Sequence, residues 1–302
     1  MHRTPRLLLA FVLGTGVVSL RPAVRMMASS AEPGIGDPSG PQALLVTAAE
    51  KPPNTLSIES ETQVEQDLLQ LANQSRRQAG AGPLTLDAGL SQAARIHAKA
   101  MLDAKQLSHQ FSGELALPVR LARATRLQLD QEGENVALDY SAADGHKHLM
   151  LSPPHRANLL NPAYNVVGLG VVRSGDRLYI VQDFGHAVHN YSVEEVKDHV
   201  AAAVDETRRR SGTRKVPRHD FADVDQYACS VAHADKLGTP QVRNLAKKFT
   251  VLTYTSLQPD VLPDGTTHAI TSRYLRSYSV GACYARTNTY PTGVYWIVLT
   301  LD

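Results

Sequence analysis

Two cysteines in 302 residues cannot build a disulfide framework, so an apolar core has to carry the fold. Cys229 and Cys283 both fall in the C-terminal third; in an oxidising compartment they are either bridged or free buried thiols. Charge of one sign is equally scarce. A formal net charge of +2, with no Lys/Arg block interleaved with aromatics, argues against a nucleic-acid partner. The run Arg208-Arg209-Arg210 is short and reads as the solvated face of a helix. No glycine-rich phosphate loop and no Gly-x-Ser-x-Gly elbow occur, which excludes nucleotide chemistry and the usual esterase triad. What remains, at 43% hydrophobic and 20% charged residues, is a globular chain long enough for two modest domains.

The N-terminus carries a layout of its own. Arg3 and Arg6 precede an apolar run from Leu7 to Leu20, too short for the roughly twenty residues of a spanning helix and suited to a secretory signal peptide over residues 1–31. Ser29-Ser30-Ala31 offers small residues for cleavage. Arg21 and Arg25 fit that reading less well, so an uncleaved anchor is the alternative and the only membrane attachment expected. Residues 32–60, with Pro33, Pro38, Pro41, Pro52 and Pro53, read as a flexible linker.

From residue 61 the pattern turns periodic. Thr62 with Glu65 suggests a capping box, and Val64, Leu68, Leu71 and Ala72 line one helical face. Asp87 caps a second helix whose apolar face is Leu90, Ala93, Ala94, His97, Ala98 and Met101; His97 there reads as a hydrogen-bonded core histidine. Val119 to Leu129 is a third helical segment, and Ala142 to Leu151 a fourth. Val166–Val172 and Leu178–Phe184 are strands joined by the hairpin signal Ser174-Gly175-Asp176. The expectation for residues 61–190 is an α+β, three-layer αβα sandwich.

Residues 191–302 echo this order. Ser192 with Glu195 forms another capping box, and Val196, Val200, Ala203 and Val204 repeat the first helix's spacing. Ser75-Arg76-Arg77-Gln78-Ala79-Gly80 is matched by Thr207-Arg208-Arg209-Arg210-Ser211-Gly212. Leu90, Ala94 and Ala98 are matched by Val224, Ala228 and Ala232, and Val167-Gly168 by Val280-Gly281; His268 falls opposite His155. A shorter, degenerate copy of the first domain is expected here; an unrelated helix-plus-sheet domain is the alternative.

Three motifs carry the chemistry: Leu107-Ser108-His109, Gly133-Glu134-Asn135-Val136-Ala137, and Ser152-Pro153-Pro154-His155-Arg156-Ala157-Asn158-Leu159-Leu160-Asn161-Pro162. Two imidazoles and a carboxylate from three non-adjacent loops suit a polar cleft. Their order and spacing resemble the bacterial branch of the CAP superfamily, the cysteine-rich secretory, antigen 5 and pathogenesis-related proteins with an SCP domain. The resemblance runs from about Val64 to Gly185. It implies the αβα sandwich and a cleft formed by His109, Glu134, His155, Ser152 and Asn135; with the repeat, it makes the expected second domain, residues 191–302, CAP-like and degenerate.

His109, His155 and Glu134 are also the candidate ligands for a weakly bound divalent cation such as Zn²⁺. In many members a further glutamate follows a tryptophan by three residues; here Leu149 and Ser152 stand in those places, and Lys147 stands where some bacterial members carry an acid. A positive charge there would oppose a cation. His146 and His148 point apart on their helix, and Glu134 and His155 have a competing reading as scaffold.

The function expected is a secreted or periplasmic binding module for a small apolar ligand, a lipid, an ion or an envelope partner. A metal-assisted hydrolase using His109, Glu134 and His155 is the enzymatic alternative, and a purely structural envelope protein is the third.

Overall fold

The computed structural model describes Leu7–Leu9 and residues 60–302. Of the expected signal peptide and linker only Leu7–Leu9 and Ser60 lie among them. Leu7–Leu9 is a short strand, β1.

The first half runs α1 (Glu61–Gln78), β2 (Thr85–Leu86), α2 (Ala88–Ala104), α3 (Leu117–Ala124), β3 (Leu129–Asp139), α4 (Ala142–Leu151), α5 (Pro153–Leu159), β4 (Val166–Ser174) and β5 (Arg177–Ala187). Its sheet has the order β2-β4-β5-β3, with β4–β5 and β5–β3 antiparallel. One face is covered by α1, α4 and α5 through Val64, Leu68, Leu149 and Leu159. The other is covered by α2 and α3 through Leu90, Ala94, Met101 and Leu121. The αβα sandwich of the sequence reading is the observed fold. Two glycines set how closely α2 lies on β4: a Cβ on Gly168 or Gly170 would sit 2.1 or 2.2 Å from the backbone of Leu90 or Ala94.

Local details depart from the sequence reading. The α1 cap is Ser60, whose hydroxyl accepts from the Gln63 amide at 3.2 Å, not Thr62. Glu65 is buried instead, receiving Arg95 and the Val171 amide. The third helix stops at Ala124, because Thr125 is extended and its hydroxyl accepts from Leu127 N–H. Leu129 already belongs to β3. The motif around Glu134, expected in a loop, is the middle of that strand.

The second half runs α6 (Val193–Arg210), α7 (Val224–His233), α8 (Pro240–Leu245), β6 (Thr250–Ser256), a 3₁₀ turn at Asp264–Thr266, α9 (Thr267–Ile270), β7 (Tyr278–Ala285) and β8 (Val294–Leu301). Its sheet order is β1-β6-β8-β7, β1 joining β6 in parallel and the other pairs antiparallel. Val196, Val200 and Val204 of α6 pack on one face, and α7 and α8 on the other. The Ser192–Glu195 capping box forms as expected. Cys229 and Cys283 are bridged, tying α7 to β7.

Arg208 is not on a solvated face. It is 1% exposed, while Arg209 and Arg210 pair with Glu206 in solvent. From α6, Arg208 donates to the carbonyls of Arg214, Ile270 and Ser272. From α1, buried Arg76 donates to those of Gly82, Leu159, Asn161 and Tyr164. In both halves a guanidinium fork gathers the loop after its own helix and the end of a later short helix.

Candidate functional site

Five elements, with the α2–α3 loop that carries His109, gather the polar residues of the first half around the middle of β3. Helix α2 brings His97 and ends at Lys105 in the left-handed region (φ 51°), which turns the chain toward His109. Helix α3 brings Arg120, β3 brings Glu134, β5 brings Asp183, and α5 brings His155 and Asn158.

Glu134 is the hub. Its side chain is 3% exposed; Oε1 receives His109 Nδ1 at 2.9 Å, and Oε2 receives Arg120 Nη2 at 2.6 Å. Arg120, itself 8% exposed, also donates to Glu114 Oε1 at 3.1 Å and to the His109 carbonyl at 3.3 Å. His97 is fully buried beneath them. Its Nδ1 meets Glu114 Oε1 at 2.7 Å, its Nε2 meets the Ser108 carbonyl at 2.8 Å, and Nε2 lies 3.8 Å from Glu134 Oε2. Burial alone would raise the Glu134 carboxyl. The His109 hydrogen bond and the charges of Arg120 and His97 outweigh it and hold Glu134 below the usual carboxylate range.

Asp183 lies opposite Glu134 in the β3–β5 register. It is fully buried, and among the described residues no donor reaches either of its oxygens. Burial and then the Glu134 charge push its carboxyl well above the usual range. Protonated, Asp183 can itself donate toward Glu134; ionised, it would be an uncompensated buried charge.

The rim is set by asparagines. Asn135 donates to the His155 carbonyl at 3.1 Å and to Gln182 Oε1 at 3.2 Å, and Asn158 donates to the Glu134 carbonyl and to Asn135 Oδ1. These bonds dock α5 on β3. The His155 ring is half-buried; burial, and then the charge of His109, lower its pKa. His109 is the exposed member at 60%.

The expected trio is therefore brought together in part. His109 and Glu134 are in direct contact, and His155 is near enough to sense His109. Ser152 precedes α5 without capping it through its side chain. Leu149 is core, Lys147 is exposed on α4, and His268 is exposed. His146 and His148 do point apart, the first to Ser75 and the second to Asp139. Sequence reading missed Glu114, Arg120 and Asp183. Asp183 had a signal, since a lone acid in a strand as apolar as Leu178–Phe184 must face a partner. Arg120, in an ordinary amphipathic helix, had none.

A cation fits this arrangement poorly. Both Glu134 oxygens are taken by N–H donors, one of them a guanidinium, and among the described residues no three His, Cys, Asp or Glu side chains are grouped to hold a metal. A metal on Glu134 would compete with His109 at one oxygen and with Arg120 at the other.

Residues 69–184 match the family model described as "Cysteine-rich secretory protein family", CAP. The uncharacterized protein YkwD of Bacillus subtilis (strain 168) is 33% identical over 129 residues, 42% of this chain and 50% of its own length. The chain thus spans about half the length of that curated relative. An extracellular protein containing a SCP domain from Bacillus anthracis str. Ames aligns over 46% of this chain and 45% of its own, at 26% identity and a TM-score of 0.39. The crystal structure of Na-ASP-1 aligns over 82% of this chain and 90% of its own, at 8% identity and a TM-score of 0.44. The chain carries a CAP domain.

Proposed function

We propose that this chain is a secreted binding module whose CAP domain takes a small ligand at the rim formed by His109 and His155. The observation that carries the reading is the state of Glu134. A carboxylate held low and bonded on both oxygens is a poor general base and a poor metal ligand, but it fixes the His109 ring and leaves its Nε2 facing outward. Arg120 behind it, shared with Glu114, neutralises much of the carboxylate charge, so the rim draws a cation only weakly and a neutral group on the ligand is favoured. A lipid or other apolar ligand with a polar head suits that charge; a weakly held Zn²⁺ on the two imidazoles is the lesser reading. Secretion rests on the Arg3/Arg6–Leu7 layout. Among the described residues no helix is long and apolar enough to cross a membrane.

The second half, on this reading, is a degenerate CAP-like domain without a site. Its strands β6-β8-β7 follow the order of β3-β5-β4. Gly281, opposite Val298, meets the start of α7 at Val224 as Gly168, opposite Asp183, meets the start of α2 at Leu90. On that register Thr253 and Val298 fall where Glu134 and Asp183 fall in the first sheet. Val231, two turns after Val224, falls where His97 follows Leu90. Val231 and Val298 are in one apolar cluster with Trp296. Matching the Arg208 fork to the Arg76 fork would align Ile270 with Leu159, and so Thr266 rather than His268 with His155.

The test is a titration of isotopically labelled protein with palmitate, inorganic phosphate and Zn²⁺ in turn, following the ring protons of His109 and His155. Saturable shifts with palmitate or phosphate, absent in His109→Ala, support the binding reading. Hydrolysis of a p-nitrophenyl ester that Glu134→Gln abolishes would replace it with the hydrolase.

A further inference from the structure

The connection between α3 and β3 is short; Arg120 lies a turn before it, on α3, and Glu134 lies beyond it, in the middle of β3. Within the first half it is held by the Leu127 amide on Thr125 Oγ1 and the Val188 amide on the Gln128 carbonyl; three further bonds reach it and its flanks from the second half. Arg286 donates through Nη1 to the Ala122 carbonyl and through Nη2 to the Thr125 carbonyl at 3.0 Å. Thr292 Oγ1 donates to the Leu129 carbonyl at 2.8 Å. Ala122 and Thr125 lie at the C-terminal end of α3, where carbonyls lack intrahelical partners and a cation is favoured.

The segment that supplies these donors is itself firmly tied. Residues 286–293 connect β7 to β8. Thr287 Oγ1 donates to Asp235 Oδ1 at 2.7 Å, and both the amide and the hydroxyl of Thr289 donate to Asp235 Oδ2 at 2.9 Å. The Thr287 amide also donates to the Tyr290 carbonyl across the loop. Asp235, just past α7, is in the left-handed region at φ 48°, a conformation that Asp tolerates better than most residues. The loop is therefore anchored in its own half at Asp235 and reaches the first half with its donors in place.

We propose that this β7–β8 loop is a positioning element of the CAP site: Arg286 and Thr292 fix the α3–β3 connection and so hold the Arg120 guanidinium against Glu134. The second half then has a task that does not need a site of its own. Arg286 and Thr292 touch none of His109, Glu134 or His155; they act through Arg120. The proposal concerns the geometry of the cluster and stands whichever ligand the rim takes, so failure of the ligand titration would leave it untouched.

Amide hydrogen exchange on the full chain, with the Arg120 Nε–H resonance as a second readout, tests it. Arg286→Ala is expected to speed exchange over residues 117–134 by about ten-fold or more and to shift the Arg120 Nε–H signal, leaving residues 61–78 of α1 at their original rates. Arg286→Lys, which keeps one donor for the helix end, should recover part of the protection. Thr292→Val is the milder variant should Arg286→Ala fold poorly, and is expected to loosen residues 125–134 first. Arg209→Ala, which loses only an exposed pair with Glu206, is the control. Exchange that rises equally in every element, or an Arg120 signal unmoved in both Arg286→Ala and Thr292→Val, would overturn the proposal.

Discussion

The two halves of this molecule cover a β-sheet with helices in the same manner and fill it with opposite chemistry. In the first, β3 and β5 set Glu134 against Asp183, with His97 and Arg120 closing over them. In the second, β6 and β8 set Thr253 against Val298, with Val231 and Val242 above them and the Cys229–Cys283 bridge alongside. Both keep the buried arginine fork that gathers a short helix. The fork and the glycine contacts are thus what the architecture needs, whereas the carboxylate cluster is not. Buried ion networks are seldom more stable than well-packed apolar residues of similar volume, so the cluster costs the first half stability that the second half keeps.

The sharpest way to break that comparison is to remove the cation that makes the cluster tolerable. Arg120→Ala leaves the buried Glu134 and the Glu114 carboxylate without their shared partner and is expected to cost roughly 3–5 kcal/mol, read from denaturant unfolding. Val242→Ala, on the same side of the second sheet, should cost clearly less, since only packing is lost. Next in size is the bridge: Cys229→Ser with Cys283→Ser no longer closes the loop between positions 54 apart in the chain and is expected to cost about 2–4 kcal/mol. If unfolding of the first half's core amides follows that of the second, the halves are coupled as the Arg286 contacts require.

The smallest effect has the opposite sign. Asp183 keeps in the folded chain a proton that the unfolded chain loses above its ordinary value of 3.8. Native stability therefore falls as pH rises from there through the raised native value. Asp183→Asn removes that slope and supplies an amide donor toward Glu134. It is expected to stabilise the protein at pH 7 by about 1–3 kcal/mol, the usual penalty of an unsatisfied buried group, and to do nothing at pH 3. A variant less stable than the parent at pH 7 would show that Asp183 is ionised and paired.

The layers of the first half were legible because apolar periodicity and glycine spacing are local signals: Val64, Leu68 and Ala72 mark the face of α1, and Ser174-Gly175-Asp176 marks the hairpin. The family was legible because His109, Glu134 and His155 occur in order. What was not legible depends on residues brought from afar. Thr62 lost the cap to Ser60 because Glu65 is drawn into the core by Arg95, thirty positions on in the chain. Arg208 looked like one of three surface arginines because two of its carbonyl partners, Ile270 and Ser272, lie some sixty residues later. Arg120, which decides what Glu134 can do, is indistinguishable in sequence from any polar residue on the outer face of a helix.

That arginine also decides the most direct test. Calorimetric titration of the purified chain with Zn²⁺, beside Arg120→Gln and His155→Ala, asks whether the Glu134 carboxylate is open to a cation. With Arg120 in place the account expects a dissociation constant no tighter than the micromolar range, roughly −8 kcal/mol or weaker, and tighter binding in Arg120→Gln as the carboxylate is released. Nanomolar binding by the native protein, lost in His155→Ala and unchanged in Arg120→Gln, would contradict the account and make the cluster a metal site.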